Sequence, residues 1–277
     1  MKISELLAAP NQDPVYYDID VDTDSKAFLN PLLVSQRSKD IAGMEKATQR
    51  IDSFFNYIIQ SLTSQQIQNI ALVSEENATH LGYSRNKSVG HGPKKDPLLN
   101  MLTNLNHNAQ YKAIIRMNGN ARKLSSLTMF VPDFSFDSIS DLTTRIIEKE
   151  LYSFTISTVN KLGYDRYLNQ QKFSLVYWDS KTSRWVKDQV KEGLYINGKF
   201  TLLVPKHMVE ENRFTHNPDD YIRNIIAPRI INNLPQTGKK PRKKDIIKKA
   251  INDAGSAKAL VTKDLETYPD DFINYFD

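Results

Sequence analysis

The sequence predicts a mixed α and β fold, α/β or α+β, in which a mixed sheet is flanked by helices and followed by a small basic helical C-terminal extension. Three observations carry this. Apolar residues recur at helical spacing through residues 40–62, FSLVYWDSKTSRWV and GLYINGKFTLLVPK read as β-hairpins, and LPQTGKKPRKKDIIKKAINDAGS departs in composition from what precedes it. With 277 residues, 40% of them apolar, the chain can bury a substantial core. The boundary is placed at 234, dividing a core domain over 1–234 from the basic extension over 235–277.

Taken in order, VYYDIDVDTD alternates around Val15, Tyr17, Ile19 and Val21, which predicts a strand running into an acidic turn. In FLNPLLV, Pro31 is expected to break a helix before it starts. Met44, Ala47, Ile51, Phe54, Phe55, Ile58, Ile59 and Leu62 form the apolar stripe of a helix over 40–62, and Ile67, Ile70, Ala71 and Leu72 that of a second over 64–74. HLGYSRNKSVGHGPKK has no hydrophobic period and reads as a loop. PLLNMLTNLNHNAQYKAIIRM predicts another helix, ending near residues 118–120, and LSSLTMFVPDFSF an extended segment. DSISDLTTRIIEKELYSFTISTVNKLGY predicts a helix starting at Ser140 and Asp141, with Leu142, Ile146, Ile147, Leu151, Phe154 and Val159 on its buried face. The first hairpin turns over residues 179–183 and the second at Asn197-Gly198, a dipeptide suited to a tight hairpin turn. Residues 244–254 and 257–267 predict two short helices, and YPDDFINYF an apolar terminal turn.

Composition excludes several classes of function. The absence of cysteine removes disulfides, thiolate zinc sites and a cysteine nucleophile. MKISELLAAP carries one Lys and meets Glu5 before any long apolar run, so it lacks the build of a signal peptide. No apolar run reaches the roughly eighteen residues of a membrane span, and a cytoplasmic protein is expected. Lys and Arg number 37 against 32 Asp and Glu, a surplus that permits a nucleic-acid partner without requiring one.

The glycine-rich loop matches neither GxxxxGK[ST] nor GxGxxG, since Gly82 and Gly90 lie eight apart and no Lys-Ser or Lys-Thr pair opens a helix after them. No nucleotide is therefore expected. His80, His91, His107, His207 and His216 show no zinc-hydrolase spacing, and Ser84 and Ser88 sit in no GxSxG elbow. What remains is a loop whose Arg85, Lys87, Lys94 and Lys95 suit phosphate contacts, or else a solvated surface loop.

PDFSFDSISD spaces Asp133, Asp137 and Asp141 four apart where an extended segment meets a helix. Asp137 and Asp141 are candidate catalytic residues and candidate ligands for Mg²⁺ or Mn²⁺, a metal that could activate water against a phosphodiester. The alternative is that Ser140 and Asp141 cap the helix while Asp133 and Asp137 are solvated turn residues. Pro132-Asp133 and Asp179-Ser180-Lys181 also spell out the degenerate PD-(D/E)XK nuclease pattern, at a spacing of forty-six residues that is long for it. Lys206 and Lys181 are the candidates to stabilise the phosphate; the alternative for Lys206 is a strand-edge charge that discourages pairing. Tyr177, Trp178 and Trp185, interleaved with Lys181, Arg184 and Lys187, read either as a base-stacking platform or as a half-buried hairpin. In GKKPRKKDIIKKA, Lys239, Lys240, Arg242, Lys243 and Lys244 join a positive tether to a short helix, a pattern suited to phosphates. That helix and the next, joined at AGS, could form a helix-turn-helix, or a solvated tail that docks onto a partner.

FLNPLLV, HLGYS with its glycine-rich continuation, DSISDLTTRII, the tryptophan-bearing hairpin and LLVPK together resemble an uncharacterised family of bacterial proteins associated with antiphage defence gene neighbourhoods, over residues 16–275. The resemblance implies a cytoplasmic bacterial protein that works with a neighbouring gene product. It points to Gly82, Ser84, Gly90, Gly92, Asp137, Ser140, Asp141, Thr144 and Lys206 as matching positions. The leading expectation is a nucleic-acid-acting defence component, as a metal-dependent nuclease subunit. The alternative is a non-catalytic module that binds nucleic acid or a partner protein.

Overall fold

The computed structural model describes residues 1–7, 13–22, 25–61, 78–82, 109–132, 134–235 and 241–276. Helix α1 (Ile3–Leu6) lies against the extended residues 13–22, which make isolated bridges at Tyr16 and Asp20 in place of the regular strand predicted there. Strand β1 (Ala27–Leu29) leads directly into α2 (Pro31–Arg37), with Asn30 as the N-cap. Pro31 thus begins a helix that it was expected to prevent: at the first helical position its missing N–H has no intrahelical partner to lose.

The predicted stripe over 40–62 is seen as α3 (Ala47–Ser61), with Ile51, Phe54, Phe55 and Ile58 buried. The predicted helix over 64–74 lies outside the described residues. Chain description resumes at residues 78–82, and then at α4 (Ala109–Arg116) and α5 (Asn120–Phe130). The latter corrects the extended reading of LSSLTMF. Ala121 and every residue from Leu124 to Phe130 are buried, so this helix has no polar face and no 3.6-residue period to betray it. Its polar residues bond along the helix: Ser126 and Thr128 donate to the carbonyls of Lys123 and Ser125.

DSISDLTTRIIEKELYSFTIS forms two helices, α6 (Phe136–Ile146) and α7 (Glu148–Lys161), which meet at Ile147. The start is set by Ser135, whose hydroxyl accepts from the Ser138 amide at 3.2 Å while the Ser138 hydroxyl accepts from the Ser135 amide. Ser140 and Asp141 are therefore inside the helix and do not cap it.

After the two-residue β2 (Leu168–Asn169), the hairpin β3 (Phe173–Asp179) and β4 (Arg184–Val190) places Trp178 opposite Trp185. Strands β5 (Gly193–Ile196) and β6 (Lys199–Phe200) turn at Asn197 and Gly198, with φ of 51° and 75°, which is the left-handed pair that Asn-Gly favours. Strand β7 (Val209–Glu211) pairs antiparallel with β1. The named strands thus form three small antiparallel sheets, β1-β7, β2-β5-β6 and β3-β4, and the fold is α+β.

Helix α6 lies at the centre, packed on β1, β3, α3 and α5. Polar side chains of α6 and α7 satisfy backbone groups that such short sheets leave over. The Leu29 amide donates to the buried Ser140 hydroxyl, the Val176 amide to the buried Glu148 carboxylate, and the Leu203 amide to the buried Thr155 hydroxyl. This explains why so many hydroxyl and carboxyl groups lie inside without a site around them.

The C-terminal part begins with α8 (Pro218–Tyr221), a π-helical turn (Ile222–Ile226) and α9 (Ala227–Asn232) in one continuous run. Pro228 accounts for the π turn: in a regular helix its ring would clash with the carbonyl four residues earlier, and widening the preceding turn relieves this. Helices α10 (Lys243–Ala254), α11 (Ala257–Thr267) and α12 (Pro269–Tyr275) follow, with Gly255 at φ 91° and Ser256 as N-cap between the first two. YPDDFINYF is therefore a helix opened by Pro269, not a turn. Val261, Leu265, Phe272 and Phe276 belong to the same buried cluster as Phe54 and Leu127, so the hydrophobic core runs unbroken from residues before 234 into α11 and α12. Among the described residues, no helix is long and apolar enough to cross a membrane.

Candidate functional site

The predicted catalytic residues lie at three places in the fold. Asp137 occupies the first turn of α6 and Asp141 the next turn, both half-buried, so the two carboxylates share one helix face. Residues 78–82 run to this face: the Ser25 amide donates to the His80 carbonyl, the Gly82 amide to the Ser25 carbonyl, and the Leu202 amide to the Ala78 carbonyl. Gly82 has φ 128°, and a Cβ there would come within 2.5 Å of Asp137 Oδ1. The backbone angle at Gly82 strains any other residue, and a Cβ there would require the Asp137 carboxylate to shift. The glycine-rich loop therefore leaves the described structure beside Asp137; Arg85, Lys87, Lys94 and Lys95, with Ser84, Gly90, Gly92 and Asp133, lie outside the described residues.

Lys206 sits in a short turn after Pro205, where its amide donates to the Val15 carbonyl and its ammonium pairs with Asp13. That hydrogen bond holds the Asp13 carboxyl below its ordinary range. Lys181 is exposed at the tip of the β3–β4 hairpin, which Ser53 of α3 touches through the Ser180 carbonyl. Asp179, the acid of the nuclease-like Asp-Ser-Lys, accepts from the hydroxyl and amide of Thr182 and shapes the turn. Among the described residues, no group of three or more His, Asp or Glu side chains is arranged to hold a metal ion. Thr144 is buried within α6.

The tryptophan hairpin is half-buried, with Lys181, Arg184 and Lys187 exposed and Trp178 in the core. Trp178 is 1% exposed, its ring meets Phe54 edge-on at 5.1 Å and Trp185 at 5.4 Å, and its indole N–H donates to Ser53. Behind it lies an ionic network that sequence reasoning missed. Arg50 of α3 pairs with Glu150 of α7 at 2.7 Å, donates to the Trp178 carbonyl, and covers the Tyr177 ring at 4.5 Å. Lys149 donates to the Tyr177 hydroxyl and to Asp188, each at 2.9 Å. Arg145 pairs with the fully buried Glu148 at 2.8 Å. The sequence puts Ile146 and Ile147 on the buried face but assigns no role to Arg145, Glu148, Lys149 and Glu150, which find their partners only in the packed structure.

The cationic C-terminal segment has a defined scaffold. Arg242 is the N-cap residue of α10, Lys243 and Lys244 share its first turn with Asp245, and all three cations are exposed, as are Lys248 and Lys249. Ile246 is buried and ties the helix down. Lys239 and Lys240 lie outside the described residues. Helix stability favours the reverse arrangement, because the backbone dipole makes a helix N-terminus positive and each cation there costs about 0.3–1 kcal/mol. The last turn of α10 holds no basic residue. Three cations against the single Asp245 thus add to the positive charge that the backbone already supplies there, an arrangement that favours anions.

The arrangement defines a class: an α+β protein whose central helix carries paired carboxylates and whose C-terminal helical end carries exposed positive charge. The chain belongs to the family described as "Domain of unknown function (DUF8370)", whose model matches residues 10–217. No curated protein and no solved structure matches the chain. The family match includes Gly82, Asp137 and Asp141 and stops one residue before α8, so the cationic helix α10 lies beyond it.

Proposed function

We propose that the protein binds nucleic acid through the cationic N-terminal half of α10, as the nucleic-acid-contacting component of a bacterial defence complex in the cytoplasm. The observation that carries the reading is the exposure of Arg242, Lys243, Lys244, Lys248 and Lys249 on a helix held to the core by Ile246. A ladder of cations on a fixed helix binds phosphates by counterion release, so affinity falls steeply with salt.

Fluorescence anisotropy with a labelled oligonucleotide across a salt series tests this. Each phosphate neutralised contributes about −0.9 to the log–log salt slope on a duplex and about −0.7 on a single strand. Lys243→Glu with Lys244→Glu is expected to flatten the slope by about two contacts' worth while stabilising the fold by about 0.3–1 kcal/mol per substitution through the helix dipole. Weak binding without salt dependence, or a salt slope that the double variant leaves unchanged, refutes the proposal.

A metal-dependent nuclease is the second reading, and it rests on Gly82 being seated against Asp137 beside Asp141. In that reading the two carboxylates hold Mg²⁺ or Mn²⁺. Plasmid and RNA cleavage is measured with either metal, with the protein alone and with the product of its neighbouring gene. Cleavage that survives Asp137→Ala combined with Asp141→Ala overturns it.

A further inference from the structure

We propose that the cleft between α9, α10 and α11 takes one unstacked base of a single-stranded nucleic acid, stacked on Tyr268. This rests on the reading of α10 as the helix that binds the backbone. The cleft encloses about 310 Å³, at the lower end of ligand pockets at roughly 300–1,000 Å³, which suits a single ring system. The π turn before Pro228 sets the register in which Ile226 and Ile230 face it, and Leu260 of α11 closes the apolar floor.

Tyr268 forms the rim. It is 43% exposed, one of four large apolar side chains exposed among the described residues, and it occupies the junction between α11 and α12. The Arg229 guanidinium lies 3.7 Å from its ring centroid. Arg229 is itself fixed by Asp264, at 2.6 Å, and by Asp271, so the ring rests on a rigid support and Arg229 has no free charge to offer a ligand. An exposed aromatic held in place beside an apolar cleft is the arrangement on which single-strand binders stack bases.

One cation and one acid outside the Arg229 ion pairs line the cleft: Lys263 from α11 and Asp253 from α10, where Lys249 directly precedes the lining residue Ala250. A phosphate held by either lysine leaves its nucleoside at the mouth of the cleft. A base inside a duplex is already stacked on both faces and does not reach it.

The test compares single-stranded and duplex oligonucleotides of equal length, by anisotropy, on the full chain. Tighter binding of the single strand is expected, with a loss of about tenfold in Tyr268→Ala, equivalent to roughly 1.4 kcal/mol, and near-wild-type affinity in Tyr268→Trp. Duplex affinity and the salt slope are expected to stay as they are in both variants. Tyr268→Leu, which keeps Arg229 covered without a π face, is measured beside them and is expected to lose single-strand affinity as Tyr268→Ala does. Equal single-strand and duplex affinity, or single-strand affinity undiminished in Tyr268→Leu, overturns the base site and leaves the α10 reading standing. No binding of either nucleic acid overturns both.

Discussion

Arg50 offers the sharpest test of the buried ionic network. Its side chain is 8% exposed and that of Glu150 is 5%, so each charge is tolerated because the other is there. Burial pushes the Glu150 carboxyl up, against the opposing effect of Arg50, and its Oε2 has no hydrogen-bond partner among the described residues. Arg50→Met removes the guanidinium and leaves a buried carboxylate uncompensated, at a cost of about 3–5 kcal/mol, a large share of the roughly 5–15 kcal/mol that holds a domain folded. Arg50→Met with Glu150→Leu removes both charges and is expected to recover most of that loss. Urea denaturation followed by tryptophan fluorescence is the assay, since the only two tryptophans of the chain, Trp178 and Trp185, lie in the hairpin that Arg50 holds. Protonation adds a second readout. Without Arg50 the folded-state pKa of Glu150 rises further above its unfolded value, so the folded state binds the extra proton. Stability of Arg50→Met then falls as pH climbs from the unfolded value, about 4.3, through the raised folded one. A loss under about 1 kcal/mol, or a double variant as unstable as the single one, refutes this account.

Two of the crowded glycines, Gly82 and Gly43, should respond differently. Gly82→Ala is expected to cost about 1–3 kcal/mol by thermal melt, and Asp137→Ser should recover part of it, because the clash is with a side chain that can shorten. Gly43→Ala, whose Cβ would lie 2.8 Å from the Phe154 backbone nitrogen, should cost more and find no such rescue; equal losses and equal rescue would contradict the geometry. His216, stacked on Phe276 at 4.8 Å with Tyr275 edge-on, has its pKa lowered by burial although Glu210 and Asp220 pull it up. The unfolded chain therefore takes up a proton before the folded one, and stability should drop as pH falls below about 6.5. His216→Phe should remove that part of the urea-midpoint pH dependence, and an unchanged profile would show that His216 does not contribute to it.

Local chemistry made several elements legible. The stripe of α3, the Asn-Gly turn of β5–β6, the Trp178–Trp185 hairpin and the bounds of α10 and α11 follow from periodicity, turn residues and caps that act within a few positions along the chain. The same logic misread α5, because a helix buried all round has no polar face, and it placed the start of α6 at Ser140, since Ser135 is an equally good cap and the chain alone does not choose between them.

Sites are less legible than elements because they depend on what lies opposite. Asp137, Lys181 and Lys206 are of the right types for phosphodiester chemistry, and the fold assigns them to a helix turn, a hairpin tip and an ion pair with Asp13. Ser140 looks like a cap and proves to be the acceptor that closes β1, and the charges of RIIEKE are paired only once Arg50 and the hairpin close over them. The sequence by itself determined where positive charge accumulates and which segments bury an apolar face, because both are properties of neighbours along the chain. Only the tertiary structure decided which charges are buried in pairs and which lie exposed on α10, and that Tyr268 stands on Arg229 at the mouth of a cleft. Burial and Coulomb attraction act through space, between residues far apart in sequence: a hundred positions for Arg50 and Glu150, 193 for Asp13 and Lys206.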